Sequence, residues 1–295
     1  MLPSALRRRF PWLLRLWWAA LPFTAGPSLA AGLRGWDDAP RALASVGLWA
    51  GWAVGLAATL VPHPIALTAL RVLAPAGMVA ALALAPGSHL APLAIAWTAV
   101  MTSLSLAPDT GMFCVNGPAY PNERRFPLRV PAALLAGPIV LAWASAVTGL
   151  AAGPLLLADG HWVAGGVAVA LGAPVAAVLL RSLHGLSRRW AVFVPAGLVL
   201  HDPLTLTDPV LLRRQEVVSL RPAPAHSTAL DLTQRAPGLA LEVVLAAEAH
   251  LSLVTPGRRP GRPRTADRLL FTPTLPGALL EEATARRVGV TVPPA

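Results

Sequence analysis

Residues 162–194 read Trp162-Val-Ala-Gly-Gly-Val-Ala-Val-Ala-Leu-Gly-Ala-Pro-Val-Ala-Ala-Val-Leu-Leu-Arg181-Ser-Leu-His-Gly-Leu-Ser-Arg188-Arg189-Trp190-Ala-Val-Phe-Val194. No charged residue interrupts this run between Trp162 and Arg181. A helix rises about 1.5 Å per residue, so about 20 apolar residues cross a hydrocarbon core of about 30 Å. After Arg189 the pattern changes to short runs with period-two alternation, the signature of strands. The stretch therefore holds both halves of the fold and the boundary between them. It predicts a transmembrane domain over residues 1–186 and a β-rich domain over residues 187–295.

Working outward toward the N-terminus, five further stretches have bilayer length: 12–31, 42–61, 65–85, 90–107 and 131–152, with 162–183 as the sixth. The expected fold is an α-helical polytopic membrane bundle of six helices followed by a small antiparallel β-rich domain closed by a C-terminal helix. Composition agrees. The chain of 295 residues is 55% hydrophobic and only 13% charged, against about 25% charged in an ordinary soluble domain, and its mean hydropathy is +0.59. The N-terminal Arg7-Arg8-Arg9 ahead of an apolar run has the outline of a signal peptide. Arg15 interrupts that run and five more spans follow, so the segment is read as a retained helix.

All 24 basic residues are arginine and the net charge is +10. With the N-terminus in the cytoplasm, the inner side receives Arg7, Arg8, Arg9, Arg15, Arg71, Arg124, Arg125, Arg129, Arg181, Arg188 and Arg189, and the outer side only Arg34 and Arg41. This bias orients the chain with both termini cytoplasmic. Many arginines flank apolar segments, which points to anionic lipid headgroups as partners and away from nucleic acid. Trp12, Trp17, Trp18, Trp36 and Trp162 fall near predicted ends and read as interfacial anchors.

Gly47, Gly51 and Gly55 recur at four-residue spacing in the second span, a face on which another helix can approach closely. Ser145, Gly149 and Gly153 make a similar row in the fifth, and Gly166 with Ala170 begins one in the sixth. Pro22, Pro27, Pro75, Pro138 and Pro174 lie inside expected spans and predict kinks. No acid falls in the middle of a span, which weakens a proton or ion relay. Thr98, Thr102 and Ser105 form the one polar stripe suited to a solute path.

Residues 108–129 form the longest loop of the membrane half, with Asn-Gly turn chemistry and five charged groups. Glu123, Arg124, Arg125 and Arg129, with Arg71 on the same side, are the candidate site for a lipid phosphate or another phosphorylated ligand, since guanidinium groups bind phosphate bidentately. Arg258, Arg259, Arg262 and Arg264 sit in a Pro- and Gly-rich run read as a loop that contacts anionic lipid. Cys114 is the single cysteine, so no intramolecular disulfide forms. A nucleophile role for it with His63 as base lacks an orienting group. The seven histidines have no metal-ligand spacing, and neither a metal nor a cofactor is expected.

In the C-terminal domain, runs at 190–194, 198–200, 210–212, 217–220, 230–233, 239–245, 251–254 and 269–272 read as strands, Pro237-Gly238 as a turn with positive φ at glycine, and 276–288 as a helix. This order, with Val210-Leu-Leu-Arg-Arg-Gln-Glu-Val-Val-Ser-Leu220, resembles a bacterial pleckstrin-homology-like domain, which implies a small bent sheet closed by a terminal helix. Through Val115-Asn-Gly-Pro-Ala-Tyr-Pro-Asn-Glu-Arg-Arg-Phe-Pro-Leu-Arg129 and Arg189-Trp-Ala-Val-Phe-Val-Pro-Ala-Gly197, the chain is similar to a family of multi-pass membrane proteins of actinobacteria, a resemblance that implies no defined activity. The leading functional expectation is a membrane-anchored scaffold or regulatory protein with a cytoplasmic interaction domain and an unidentified protein partner. A small-solute transporter or channel, and a lipid-modifying enzyme built on residues 108–129, are the alternatives.

Overall fold

The computed structural model describes residues 4–255 and 258–290, with side chains described except at residues 4–8 and 258–260. The chain divides into two compact units, one formed by Met1–Gly117 with Ile139–His184 and the other by Pro118–Pro138 with Gly185–Ala295. The first is helical and the second is mainly β.

In the helical unit the first expected span is broken into α1 (Ser4–Ala19), α2 (Leu21–Thr24) and α3 (Gly26–Gly32). Pro22 and Pro27 each remove an amide donor just after the breaks, and the Thr24 hydroxyl donates to the Ala20 carbonyl at 3.0 Å. Then come α4 (Asp38–Leu60) and α5 (Pro64–Leu84). Asp38 in the first turn of α4 complements the helix dipole, and Pro62 stops the helix. His63 caps α5, its Nδ1 accepting from the Ile65 amide at 3.2 Å.

α6 (Ala91–Leu106) continues into α7 (Pro108–Asn116) through a bend of 56°. Pro108 forces Ala107 out of helical geometry, and the Thr110 hydroxyl donates back to the Leu104 carbonyl at 2.6 Å. Past strand β1 (Arg124–Pro127) and the short α8 (Ala132–Leu135) come α9 (Pro138–Ala158) and α10 (Trp162–Leu186). Among the described residues four helices, α4, α5, α9 and α10, are long and apolar enough to cross a membrane, and α6 with α7 makes a fifth if the bent pair counts as one span. Their outward faces carry large apolar side chains such as Val163, 83% exposed, and Leu141, 68% exposed, which need an apolar solvent. The expected fifth span, 131–152, is displaced to Pro138–Ala158 because Gly137, at φ +146°, turns the chain before the helix begins.

The β unit contains β2 (Trp190–Val194), β3 (Gly197–His201), β4 (Val210–Arg213), β5 (Val217–Pro222), β6 (Leu230–Asp231), β7 (Leu241–Thr255), β8 (Arg258–Phe271) and α11 (Pro276–Ala285). One sheet has the order β1-β2-β3-β4, the other β5-β7-β8-β6. All neighbours are antiparallel except β6 with β8. The core collects the inward residues Phe126, Phe193, Leu198, Leu220, Val243, Leu269, Phe271 and Leu279, all buried. Gly238 takes φ +111°, as its turn requires.

Two further segments depart from the sequence reading. Residues 108–129 are not one loop: 108–116 is a helix of the helical unit and 124–127 an edge strand of the β unit, where Phe126 is buried and Arg125 pairs with Val192 across the ladder. The domain boundary is therefore crossed three times, after Gly117, after Pro138 and after His184. From Arg258 to Arg264 the Pro- and Gly-rich run is strand, not loop, and Pro256 and Gly257 lie outside the described residues. Leu253 faces Arg262 and Leu251 faces Arg264 in the β7–β8 ladder. β6 pairs only at Leu269 and Leu270, so this part of β8 is an edge, where a proline has no outer ladder bond to lose.

Candidate functional site

The helical unit encloses a half-open cavity of about 300 Å³. It lies among α2 and α3, which contribute Leu21 and Leu29, and α4, α5 and α6, which contribute Gly51, Gly77 and Met101. Gly47 and Gly51 line it, and a side chain at Gly47 would meet nothing within 4 Å. Gly55, the third of that row, takes the ring of Trp18 against its Cα. So the row splits: one end receives an aromatic ring and the other opens onto the cavity.

Trp18 also lines this space and is 2% exposed. Trp17 stacks on Trp97 at 4.1 Å, and each indole donates to the other's backbone carbonyl at 3.1 Å. These two tryptophans join helices, whereas Trp12 at 63% and Trp162 at 72% exposure face outward in the manner of anchors. In the polar stripe the Thr98 hydroxyl donates to the Ala94 carbonyl and that of Thr102 to the Thr98 carbonyl, both at 2.8 Å, while the Ser105 hydroxyl is buried without a hydrogen-bond partner. Hydroxyls that bond back within their own helix offer nothing to a passing solute.

The candidate phosphate-binding residues are divided between the units. Arg71 belongs to α5 of the helical unit, within electrostatic reach of Cys114. In the β unit Glu123 pairs with Arg125 at 3.1 Å, and the Arg125 guanidinium lies 5.4 Å from the centre of the Trp190 ring. Arg124 next to it is exposed. Arg129 is not part of this group. Its side chain packs against Gly238, where any Cβ would come within 2.8 Å of Nε. Arg262 and Arg264 are exposed and share one face of β8. The side chains of Arg258 and Arg259 lie outside the described residues.

Cys114 is fully buried, and His63 spends Nδ1 on its cap, so this pair has neither access nor a free base. Among the described residues no cluster of three potential metal ligands occurs.

The charges that organise the β unit were not legible in the sequence. Arg189 and Asp202, 1% and 3% exposed, form a bidentate pair at 2.6 and 2.7 Å. Arg189 also donates to the Arg129 carbonyl at 2.8 Å. Glu242, 1% exposed, accepts from Arg221 at 3.0 Å and from the Ser227 hydroxyl at 3.1 Å. His201 stacks on Trp190 at 5.2 Å. Its pKa is lowered below the ordinary 6.5, mainly because burial penalises the imidazolium, with Arg188 and Arg125 adding to the effect and Asp202 opposing it.

Compared with protein families, with curated proteins and with solved structures, the chain matches none.

Proposed function

We propose that this is a membrane-anchored scaffold or regulatory protein that holds a β-rich interaction module of pleckstrin-homology-like architecture at the cytoplasmic face. Six crossings are proposed, with α1–α3 as a broken first crossing and α6–α7 as a bent fourth. The arginine bias of the segments between them supports cytoplasmic termini.

One observation carries the reading. β1, from the segment between α7 and α9, pairs in register with β2, which follows α10: Arg124 with Phe193 through Pro127 with Trp190. A backbone ladder forms only between strands in the same aqueous phase, because hydrocarbon leaves no open sheet edge satisfied. Residues 118–138 and the C-terminal segment therefore share one side, which requires α9 and α10 to cross as a pair. A module tied to the membrane part at three chain positions loses little entropy when it presents a surface there. The Arg262–Arg264 face of β8 supplies exposed positive charge for that surface.

A transport path along Thr98, Thr102 and Ser105 gains no support from the Thr98 and Thr102 hydroxyls, which bond within their own helix, and the Ser105 hydroxyl is buried.

The test is cross-linked pull-down from intact membranes with the full chain and with a chain ending at Leu186, insertion being verified for both. The proposal expects proteins captured by the full chain to be lost on truncation. The same set captured by both would contradict it.

A further inference from the structure

A second cavity of the helical unit, an open crevice of about 550 Å³, lies between the start of α4 and the end of α9. Pro40, Ala152, Leu155 and Leu156 make its apolar wall. Trp36, 38% exposed, adds an aromatic ring. Its charged groups are the carboxylates of Asp37 and Asp159, both on exposed residues and therefore open to a ligand.

These two acids are not neutralised by arginine. Asp37 makes no capping hydrogen bond to α4, and Arg41, the one basic residue of that helix, is paired with Asp38. Asp159 lies 3.1 Å from His161 Nδ1 through Oδ2. Neither Arg34 nor Arg41 lines the crevice.

The lining selects the charge and the shape of an occupant. An anion is repelled, and a wholly apolar molecule would strip water from two carboxylates without compensation. A bare calcium ion takes about six to eight oxygen ligands, and among the described residues no group of three potential metal ligands occurs. An alkylammonium group meets every part of the lining. Its charge is attracted by both carboxylates, its N-methyl or methylene groups lie against the Trp36 ring by cation–π attraction, and its alkyl portion covers Leu155 and Leu156. The volume falls within the usual range for small-ligand sites, about 300–1,000 Å³.

We propose that this crevice is a binding site for an alkylammonium group, held by Asp37 and Asp159 against the ring of Trp36. The headgroup of a choline or ethanolamine lipid and a soluble organic cation share this chemistry. Every lining residue belongs to the helical unit, so the site stands or falls separately from the scaffold reading.

The experiment places the full chain in nanodiscs of digalactosyldiacylglycerol, an uncharged lipid without an ammonium group, and titrates it with hexyltrimethylammonium by isothermal calorimetry. The expected result is saturable binding of one probe per chain and no binding of hexanol, which lacks the charge. Asp37→Asn with Asp159→Asn should weaken the probe by about tenfold, and Trp36→Leu by about fivefold. Asp109→Asn, the same change of charge at a residue of α7 that does not line the crevice, should bind as the native chain does. In phosphatidylcholine nanodiscs, weaker probe binding identifies the lipid headgroup as the occupant, and unchanged binding identifies a soluble cation; either result upholds the site. No saturable binding, equal binding of hexanol, or native affinity in the chain carrying Asp37→Asn and Asp159→Asn overturns the proposal. Trp36→Leu gives a second reading of the same contact should the double variant fail to fold.

Discussion

Arg189 and Asp202 meet in a buried, bidentate ion pair, Nε to Oδ1 at 2.6 Å and Nη2 to Oδ2 at 2.7 Å. The same guanidinium holds the Arg129 carbonyl, so the pair ties the start of β2 and the end of β3 to the segment inserted between the helices. Removing one partner leaves a buried charge without compensation, which typically costs about 3–5 kcal/mol. Asp202→Ala is expected to destabilise the β unit by that amount in denaturant unfolding followed by near-ultraviolet circular dichroism. Arg189→Met with Asp202→Leu, which removes both charges, should cost clearly less than either single change.

Phe126 is 1% exposed and meets Phe193 edge-on at 6.0 Å between ring centres. It is the main apolar attachment of β1. Truncating a buried phenylalanine costs about 3–5 kcal/mol. Phe126→Ala should therefore free residues 118–138 for limited proteolysis under conditions where the native chain resists, with α9 and α10 still inserted.

Gly149 of α9 and Gly172 of α10 pack on each other: a Cβ at Gly149 would lie 2.8 Å from the Gly172 carbonyl oxygen, and one at Gly172 would lie 2.6 Å from that of Gly149. Small residues let helices approach this closely. Overpacking costs about 1–3 kcal/mol, so Gly149→Leu or Gly172→Leu should lower the thermal midpoint in detergent, whereas Gly166→Leu should leave it unchanged.

His201 has a folded-state pKa below its unfolded value of 6.5. The folded state favours neutral imidazole, and the unfolded state binds more protons between the two pKa values. Stability from this group is therefore complete above about pH 6.5 and is lost as pH falls from there toward the folded pKa. His201→Gln should flatten the decline below pH 6.5 in unfolding experiments on the full chain. A decline of equal steepness would remove His201 as its source.

Single-residue pattern reached some elements and missed others for physical reasons. The strands at 190–194, 210–213 and 217–222 and the helix at 276–285 lie close to where alternation and the Pro276 start place them. A run such as Pro131-Ala-Ala-Leu-Leu135 carries no mark of whether it is membrane helix or connection. The tertiary bonds of Leu128 and Arg129 to Arg189 and Thr272 decide that, and the helix starts at Pro138 instead. Phe126 looks like a loop aromatic until Phe193, distant in sequence, is placed beside it. Arg189 reads as a topology signal because its partner Asp202 is visible only in the fold. Trp18 reads as an anchor because the space at Gly55 that takes its ring is on another helix. The lipid-facing apolar surfaces were legible because they follow from length and hydropathy alone, but the cavity was not, since it belongs to several helices at once.

The account rests most on the shared side of residues 118–138 and the C-terminal segment. Single cysteines at Asn122, Arg214 and Gly35, all exposed positions, in a chain carrying Cys114→Ala, would be challenged with a membrane-impermeant maleimide in sealed vesicles of known orientation. The account predicts that the cysteines at 122 and 214 are modified from one face and the cysteine at 35 from the other. Modification of 122 and 214 from opposite faces would contradict it.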